Sequence, residues 1–243
     1  MIGLAAFAAV LLMGGMLAPQ TVSERGRRTV QEALEQLEKG ALPAVGDRRA
    51  TKPAAAKALR SFGHCIMMFP GRAVDILGTM PGSLDEYKLA SDVAERRAGC
   101  LNSGSLMFGP SLLRGIVAES LLRRDFGGVG GGRRHGPVAI YAMPQAQDRA
   151  DLPSRVRASL QLQDFSSCVL GKASDKVAHL LASEPAGEEE AKVWQSLAGV
   201  MNGCIDPHQQ FKMSELQLRG SLAEAAYRAA VQRVGATREE ARR

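Results

Sequence analysis

Four cysteines are the residues whose types and spacing most directly predict chemistry in this sequence. The interval from Cys65 to Cys100 matches the interval from Cys168 to Cys204 to within one residue. Because no C-x-x-C or H-x-x-x-H spacing occurs, no metal site is expected. Four cysteines allow three pairings, and the equal intervals predict the disulfides Cys65–Cys100 and Cys168–Cys204 in an oxidising compartment. Four free, buried thiols are the alternative.

Two arginines stand within a second repeated pattern, L-R-G-x-x-A-E, which occupies residues 113–119 and 218–224. Drawn as a helix at ~100° per residue, the pattern places Arg114 and Arg219 in the middle of an apolar arc. A buried guanidinium needs a carboxylate or helix-terminal carbonyl oxygens as partners. Each arginine is therefore predicted to be a buried structural clamp, and an anion-binding anchor in a groove is the functional alternative.

The two glutamates of the same pattern fall outside the apolar arc. Glu119 lies beside Arg123 and Glu224 beside Arg228, each pair four residues apart. Pairs at this spacing on a polar helix face contribute a few tenths of a kcal/mol. The sequence therefore predicts two surface salt pairs, Glu119–Arg123 and Glu224–Arg228.

The sequence contains no motif that identifies an enzyme. It lacks G-x-S-x-G, S-x-x-K and H-E-x-x-H. His64 and Cys65 would point about 100° apart on a helix, and the glycine-rich run 127–132 lacks the strand and Lys-Ser/Thr of a phosphate loop. No cofactor is expected. A hydrolase that uses Glu119 and Glu224 in a cleft between the two copies is the enzymatic alternative.

The chain repeats itself over much of its length. Identical residues recur in one order with insertions of only one or two residues: Phe62/Phe165, Cys65/Cys168, Val74/Val177, Leu77/Leu180, Pro81/Pro185, Cys100/Cys204, Phe108/Phe211, Leu113/Leu218, Arg114/Arg219, Gly115/Gly220, Ala118/Ala223 and Glu119/Glu224. Duplication of one building block explains this agreement without any reference to function.

This tandem F-x-x-C…C…L-R-G-x-x-A-E pattern, placed behind an apolar N-terminus, resembles small secreted proteins of Gram-negative bacteria. The resemblance covers roughly residues 54–230. It implies an exported protein built from repeated helices, and it brings no activity with it.

The 3.6-residue period of apolar side chains predicts an all-α fold. Helices of the first copy are expected near Ala55, Arg72, Ser83 and Pro110, and those of the second over 153–170, 174–182, 187–203 and 214–234. Residues 138–141 are the only strand-like run. We therefore expect two homologous four-helix repeat units joined by a Gly-rich linker. The predicted segments are an N-terminal helix with its linker over 21–53, repeat 1 over 54–126, a flexible Gly/Arg linker over 127–152, repeat 2 over 153–234 and a tail over 235–243.

The N-terminus reads as an export signal. Residues 1–18 carry no charge, and the first charged side chain is Glu24. We expect a signal peptide over 1–20 and a periplasmic or secreted protein. The alternative is an uncleaved inner-membrane anchor, because 18 residues at ~1.5 Å each approach the ~30 Å bilayer core.

The formal net charge of +6 does not predict nucleic-acid binding. The excess of basic residues lies in 1–61, 127–164 and the tail, whereas 62–126 is neutral and 165–231 slightly acidic. No basic strand studded with aromatic residues accompanies this charge. The prediction is a non-catalytic binding or envelope-associated module with a protein or envelope partner. A membrane-tethered periplasmic module, held only through 1–18, is the alternative beside the hydrolase.

Overall fold

The computed structural model describes residues 52–100, 109–205 and 213–240. The predicted signal peptide over 1–20 and nearly all of the segment 21–53 lie outside these described residues. Within the described residues the protein is all-α, as predicted, and contains no strand. None of the helices in this part of the chain combines the length and the apolar character that a membrane span requires.

The first half of the described chain folds into three α-helices, a 3₁₀ helix and a one-turn 3₁₀ segment. They are α1 (Lys52–Met68), the 3₁₀ helix Gly71–Gly78, α2 (Leu84–Arg96), the one-turn segment Ala98–Cys100 and α3 (Pro110–Phe126). The Ser83 hydroxyl accepts a hydrogen bond from the Glu86 N–H at 3.1 Å, which caps α2. Pro110 occupies the first position of α3, and Gly127 ends that helix in the left-handed conformation with φ of 73°.

The second half follows the same order with α-helices throughout. They are α4 (Ser154–Lys172), α5 (Ser174–Ala182), α6 (Glu188–Asn202) and α7 (Glu215–Glu240). Ser214 and Gln217 form the capping box that the sequence predicts, since the Ser214 N–H donates to Gln217 Oε1 at 2.9 Å and the Gln217 N–H to Ser214 Oγ at 3.2 Å. The matching element order supports duplication, which itself stays a prediction.

Helices α3 and α7 cross at two glycines in the centre of the described part of the chain. A Cβ atom added to Gly115 would lie 2.5 Å from the Gly220 Cα, so only glycine permits this approach. Side chains from both halves, among them Phe62, Leu121, Val169 and Leu222, belong to one hydrophobic core. The two predicted repeat units therefore share a core and are not held apart on a tether.

Residues 127–152 differ from the flexible linker that we expect from their glycines. Tyr141 is buried, and its N–H donates to the Leu77 carbonyl at 2.9 Å. The Val138 N–H donates to the Tyr227 hydroxyl at 2.9 Å. Residues 138–141 form no strand, because their neighbour is the end of the 3₁₀ helix and not an extended chain. The segment is tied to the core by its apolar side chains.

Two disulfides brace the helices, and they are the pairs that the equal intervals predict. Cys65 is bonded to Cys100 with a Cα–Cα distance of 5.6 Å, and Cys168 to Cys204 with 5.9 Å. Each disulfide ties the first helix of its half to the chain that follows the third element. Closing such a loop stabilises the folded state by about 4 kcal/mol on the chain-entropy model.

Candidate functional site

Arg114 lies at the crossing of α3 with α7 and is only 2% exposed. Its Nε donates to Glu224 Oε2 at 2.8 Å, which connects the two halves. Its Nη1 donates to the Ile76 carbonyl at 2.6 Å and approaches Glu86 Oε1 at 3.4 Å. The guanidinium thus caps the end of the 3₁₀ helix and binds two carboxylates, so it is a structural clamp in this position.

Arg219 makes the corresponding contacts from the other half. Its Nε and Nη2 donate to the two carboxylate oxygens of Glu119 at 3.1 and 2.8 Å. Its Nη1 donates to Glu190 Oε1 and to the Leu180 carbonyl, both at 2.8 Å. Each arginine therefore joins a glutamate of its own half to a glutamate of the opposite half.

The ionisation of these groups follows from their burial and their partners. Burial alone would lower the pKa of Arg114, but the nearby carboxylates of Glu224 and Glu86 raise it overall. The same balance, with Glu119 and Glu190, raises the pKa of Arg219. Burial raises the pKa of Glu86 despite the opposing charge of Arg114.

The two predicted surface salt pairs require a correction. Glu224 is 3% exposed and Arg228 is also buried, with Glu224 Oε1 and Arg228 Nη2 3.7 Å apart. The Arg228 guanidinium lies over the Tyr141 ring, 4.1 Å from its centroid. The helical wheel assumed one solvent face, whereas α7 is covered on that side by α4 and by the segment that contains Tyr141.

Glu119 and Arg123 do form an ion pair, but they belong to the wall of a groove. Glu119 also accepts the two hydrogen bonds from Arg219, so its side chain is mostly buried, while Arg123 is 37% exposed. Burial lowers the pKa of Arg123, opposed by Glu119, and the charges of Arg60 and Arg219 lower it further. The enzymatic alternative uses Glu119 and Glu224 together. These two glutamates line different cavities, as described below, so they do not share a cleft.

An open groove of about 750 Å³ lies between α1 and α3, and we call it the α1–α3 groove. Each helix contributes a row of side chains at intervals of four residues: Ala56, Arg60, His64 and Met68 from α1, and Leu112, Ile116, Ser120 and Arg124 from α3. The remaining lining residues are Leu59, Ser61, Met67, Gly115, Arg123, Pro185, Leu216, Gly220 and the clamp residues Glu119 and Arg219. Rows at this interval are the ridges that helices use to pack against each other.

The two ends of the α1–α3 groove differ in chemistry. A Cβ atom on Gly63 would contact Ile116, and Arg60 lies close enough to Arg123 to affect its pKa, so α1 and α3 run antiparallel. Arg60 and Arg124 therefore flank Arg123 at one end. At the other end, the described residues that line the groove carry no charge, and they are Met67, Met68, Leu112 and Leu216.

A cavity of about 270 Å³ occupies the matching place between α4 and α7, and we call it the α4–α7 cavity. At the positions that match Gly63 and Ile116 this half has Ser166 and Ser221, which share a hydrogen bond of 2.7 Å. Gln217 matches Leu112, and Gln163, which donates to Glu224 Oε2 at 2.8 Å, matches Arg60. The fold therefore accommodates polar lining here, and the apolar and basic lining of the α1–α3 groove is specific to that site.

Sequence reasoning brought out the clamp residues but missed the groove. Within the described residues, no three side chains of metal-binding type are grouped so that they could hold an ion. His64 stands out in the sequence only as the neighbour of Cys65, whereas in the structure its side chain lines the groove. The available signal was the divergence between matched positions, with Leu112 and Ile116 in one copy against Gln217 and Ser221 in the other.

Comparisons of the chain with protein-family models, with curated proteins and with solved structures found no match.

Proposed function

We propose that this protein is an exported, non-catalytic binding module whose α1–α3 groove holds an amphipathic α-helix of a partner protein. The observation that carries the proposal is the pair of four-residue rows that α1 and α3 present to the same open space. Residues 56 to 68 at ~1.5 Å each make this space roughly 18 Å long, which matches about three helical turns. Helix-in-groove recognition uses rows at this interval, and here Ala56, Met68, Leu112 and Ile116 supply the apolar contacts.

Exposed apolar side chains at one end of the groove support the same interpretation. Met68 is 57% exposed and Phe69, the next residue, is 69% exposed. Both follow the uncharged end of the groove, so a helix seated there would cover them together with Leu112. Exposed apolar surface that continues an apolar groove is typical of protein–protein contact sites. Methionine side chains also adapt readily to the shape of a partner.

Export is part of the proposal. Disulfides persist in oxidising compartments, and the two disulfides of this chain leave no free cysteine among the described residues. The uncharged residues 1–18 are consistent with a signal peptide or with an anchor that tethers the module to the inner membrane. Either form would present the groove outside the cytosol.

Selection from a random peptide library tests the groove. Displayed peptides of about 16 residues, long enough for four helical turns, are selected against the oxidised full-length chain. We expect recovered peptides to carry apolar residues at i, i+3, i+4 and i+7. Leu112→Glu and Leu216→Glu should each weaken their binding about tenfold or more, because they place a charge in the buried contact. Leu84→Glu, at an exposed apolar residue outside the groove, is the matched control and should bind as the wild type does.

Three results would count against the proposal. The first is a set of selected peptides without helical periodicity. The second is binding that Leu112→Glu and Leu216→Glu leave unchanged while thermal unfolding shows both variants to be folded. The third is groove-dependent binding of phosphatidylglycerol vesicles in place of peptides, which would identify a lipid surface as the partner.

A further inference from the structure

The asymmetry of the α1–α3 groove carries an inference that rests on the proposed function. We infer that the groove accepts its helix in one direction, with acidic side chains and the C-terminal turn of the partner against Arg60, Arg123 and Arg124. The N-terminal part of the bound helix then lies against the uncharged end. In this orientation the partner runs parallel to α3 and antiparallel to α1.

Two of the three arginines, Arg60 and Arg124, retain hydrogen-bond donors for a ligand, whereas Arg123 donates through Nη2 to the Leu181 carbonyl at 2.7 Å as well as to its glutamate. Among the described residues, Arg60 is engaged through Nη1 alone, in an ion pair with Glu184, whose side chain is 64% exposed. Arg124 uses Nε, which donates to Asp125 Oδ1 at 2.6 Å. Each guanidinium has five N–H donors in a planar fork that suits carboxylates. Arg60 and Arg124 therefore keep several donors that no other described residue engages.

The acidic residues at this end do not cancel its preference for anions. Glu119 is held by two hydrogen bonds from Arg219 and by its ion pair with Arg123. Asp125 is fully buried and accepts a hydrogen bond from the Tyr227 hydroxyl at 2.8 Å. Neither Asp125 nor Glu184 lines the groove, so among the described residues the charged lining at this end is Arg60, Arg123 and Arg124 beside the carboxylate of Glu119.

Helix polarity fixes the direction. The last four carbonyl groups of a helix have no partner within it, and together they carry a partial negative charge. Arg60 and Arg124 can donate both to these carbonyl oxygens and to carboxylates in the last turn of the partner. The opposite end of the groove, with Met67, Leu112 and Leu216, offers contact only to apolar side chains.

Three synthetic helical peptides that share the same stripe of Leu and Ala residues test the direction in which the groove binds a helix. The first carries three Glu in its last turn, the second has them in its first turn, and the third has Gln in their place. Fluorescence anisotropy is measured with the full-length chain at low and at high salt. We expect the first peptide to bind roughly fivefold to tenfold more tightly than the third, as two or three exposed ion pairs allow, and the advantage to shrink at high salt. The second should bind no more tightly than the third.

Variants of the arginines at the charged end of the groove separate the preference for acidic peptides from helix binding itself. Arg60→Gln combined with Arg124→Gln should weaken the first peptide more than the third, because the third loses only the hydrogen bonds to its terminal carbonyl groups, and should so remove most of the advantage of the first. Arg72→Gln, at an arginine that is exposed and outside the groove, should change neither. Equal binding of all three peptides, or tightest binding of the second, would overturn the inference while leaving helix binding in place. Failure of all three to bind would instead contradict the proposed function.

Discussion

Replacing Arg114 with Met breaks a buried contact on which the shared core depends. The substitution removes the donors to Glu224 Oε2 at 2.8 Å and to the Ile76 carbonyl at 2.6 Å, and it leaves Glu86 without its opposing charge. Removing one partner of a buried ion pair costs about 3–5 kcal/mol, because the remaining charge is uncompensated. This is a large share of a typical folding free energy of ~5–15 kcal/mol. We expect Arg219→Met to cost a similar amount.

Urea unfolding followed by circular dichroism, with both disulfides intact, measures this cost. The matched control is Arg123→Met, since Arg123 is 37% exposed and its pair with Glu119 should be worth less than about 1 kcal/mol. Combining Arg114→Met with Glu224→Gln should restore part of the lost stability, because the uncompensated carboxylate is gone. The reasoning would be refuted if Arg114→Met lowered the free energy of unfolding no more than Arg123→Met does.

Three further predictions concern the crossing, the disulfides and pH. Gly115→Ala should destabilise the protein by about 1–3 kcal/mol, because the added Cβ atom would contact the opposite helix. Gly199→Ala is the control: its Cβ atom would meet nothing within 4 Å, so it should stabilise the protein by roughly 0.5–1 kcal/mol in the same urea titration. Replacing Cys65 and Cys100 together by Ser should lower the free energy of unfolding by about 4 kcal/mol, measured by calorimetry. Burial raises the pKa of Glu86 in the folded state, so the folded state binds the carboxyl proton more tightly than the unfolded state does. The contribution of Glu86 to stability is therefore lost as pH rises from 4.5, the pKa of the unfolded state, through the pKa of the folded state. Glu86→Gln should therefore remove this decrease in stability above about pH 4.5, and an unchanged dependence of the unfolding free energy on pH would contradict this account.

Much of the fold could be predicted because its determinants are local. The capping box at Ser214 and the first-turn proline at Pro110 depend on a few adjacent residues, and their helices begin where these signals stand. The inward position of Arg114 follows from the apolar residues on either side of it in the same helix. The disulfides follow from equal intervals along the chain.

The misassigned side chains depend on how many neighbours a helix has. A wheel sorts the faces of one helix but does not say how many of them are covered. Glu224 therefore looked exposed, although α4 and the segment around Tyr141 cover it. The partner of Arg114 was also beyond sequence reasoning, because Glu224 is 110 residues away in the chain and belongs to the other half.

The groove could not be predicted for a related reason. The α1–α3 groove is larger than the α4–α7 cavity, although the two occupy matching places. The halves differ there in Gly63 and Ile116 on one side and in two hydrogen-bonded serines on the other. None of these residues indicates a groove in its own helix, and only the comparison of the two halves shows where they differ.

Methyl NMR of the full-length chain, titrated with the peptide that carries Glu in its last turn, tests helix binding most directly. Methyl groups report contact at single side chains, so the two cavities can be told apart. The account predicts that the signals of Met67, Ile116 and Leu216 shift as the peptide binds, while those of Leu162 and Met213 in the α4–α7 cavity stay in place. Shifts confined to Leu162 and Met213, or no shift at saturating peptide, would contradict it.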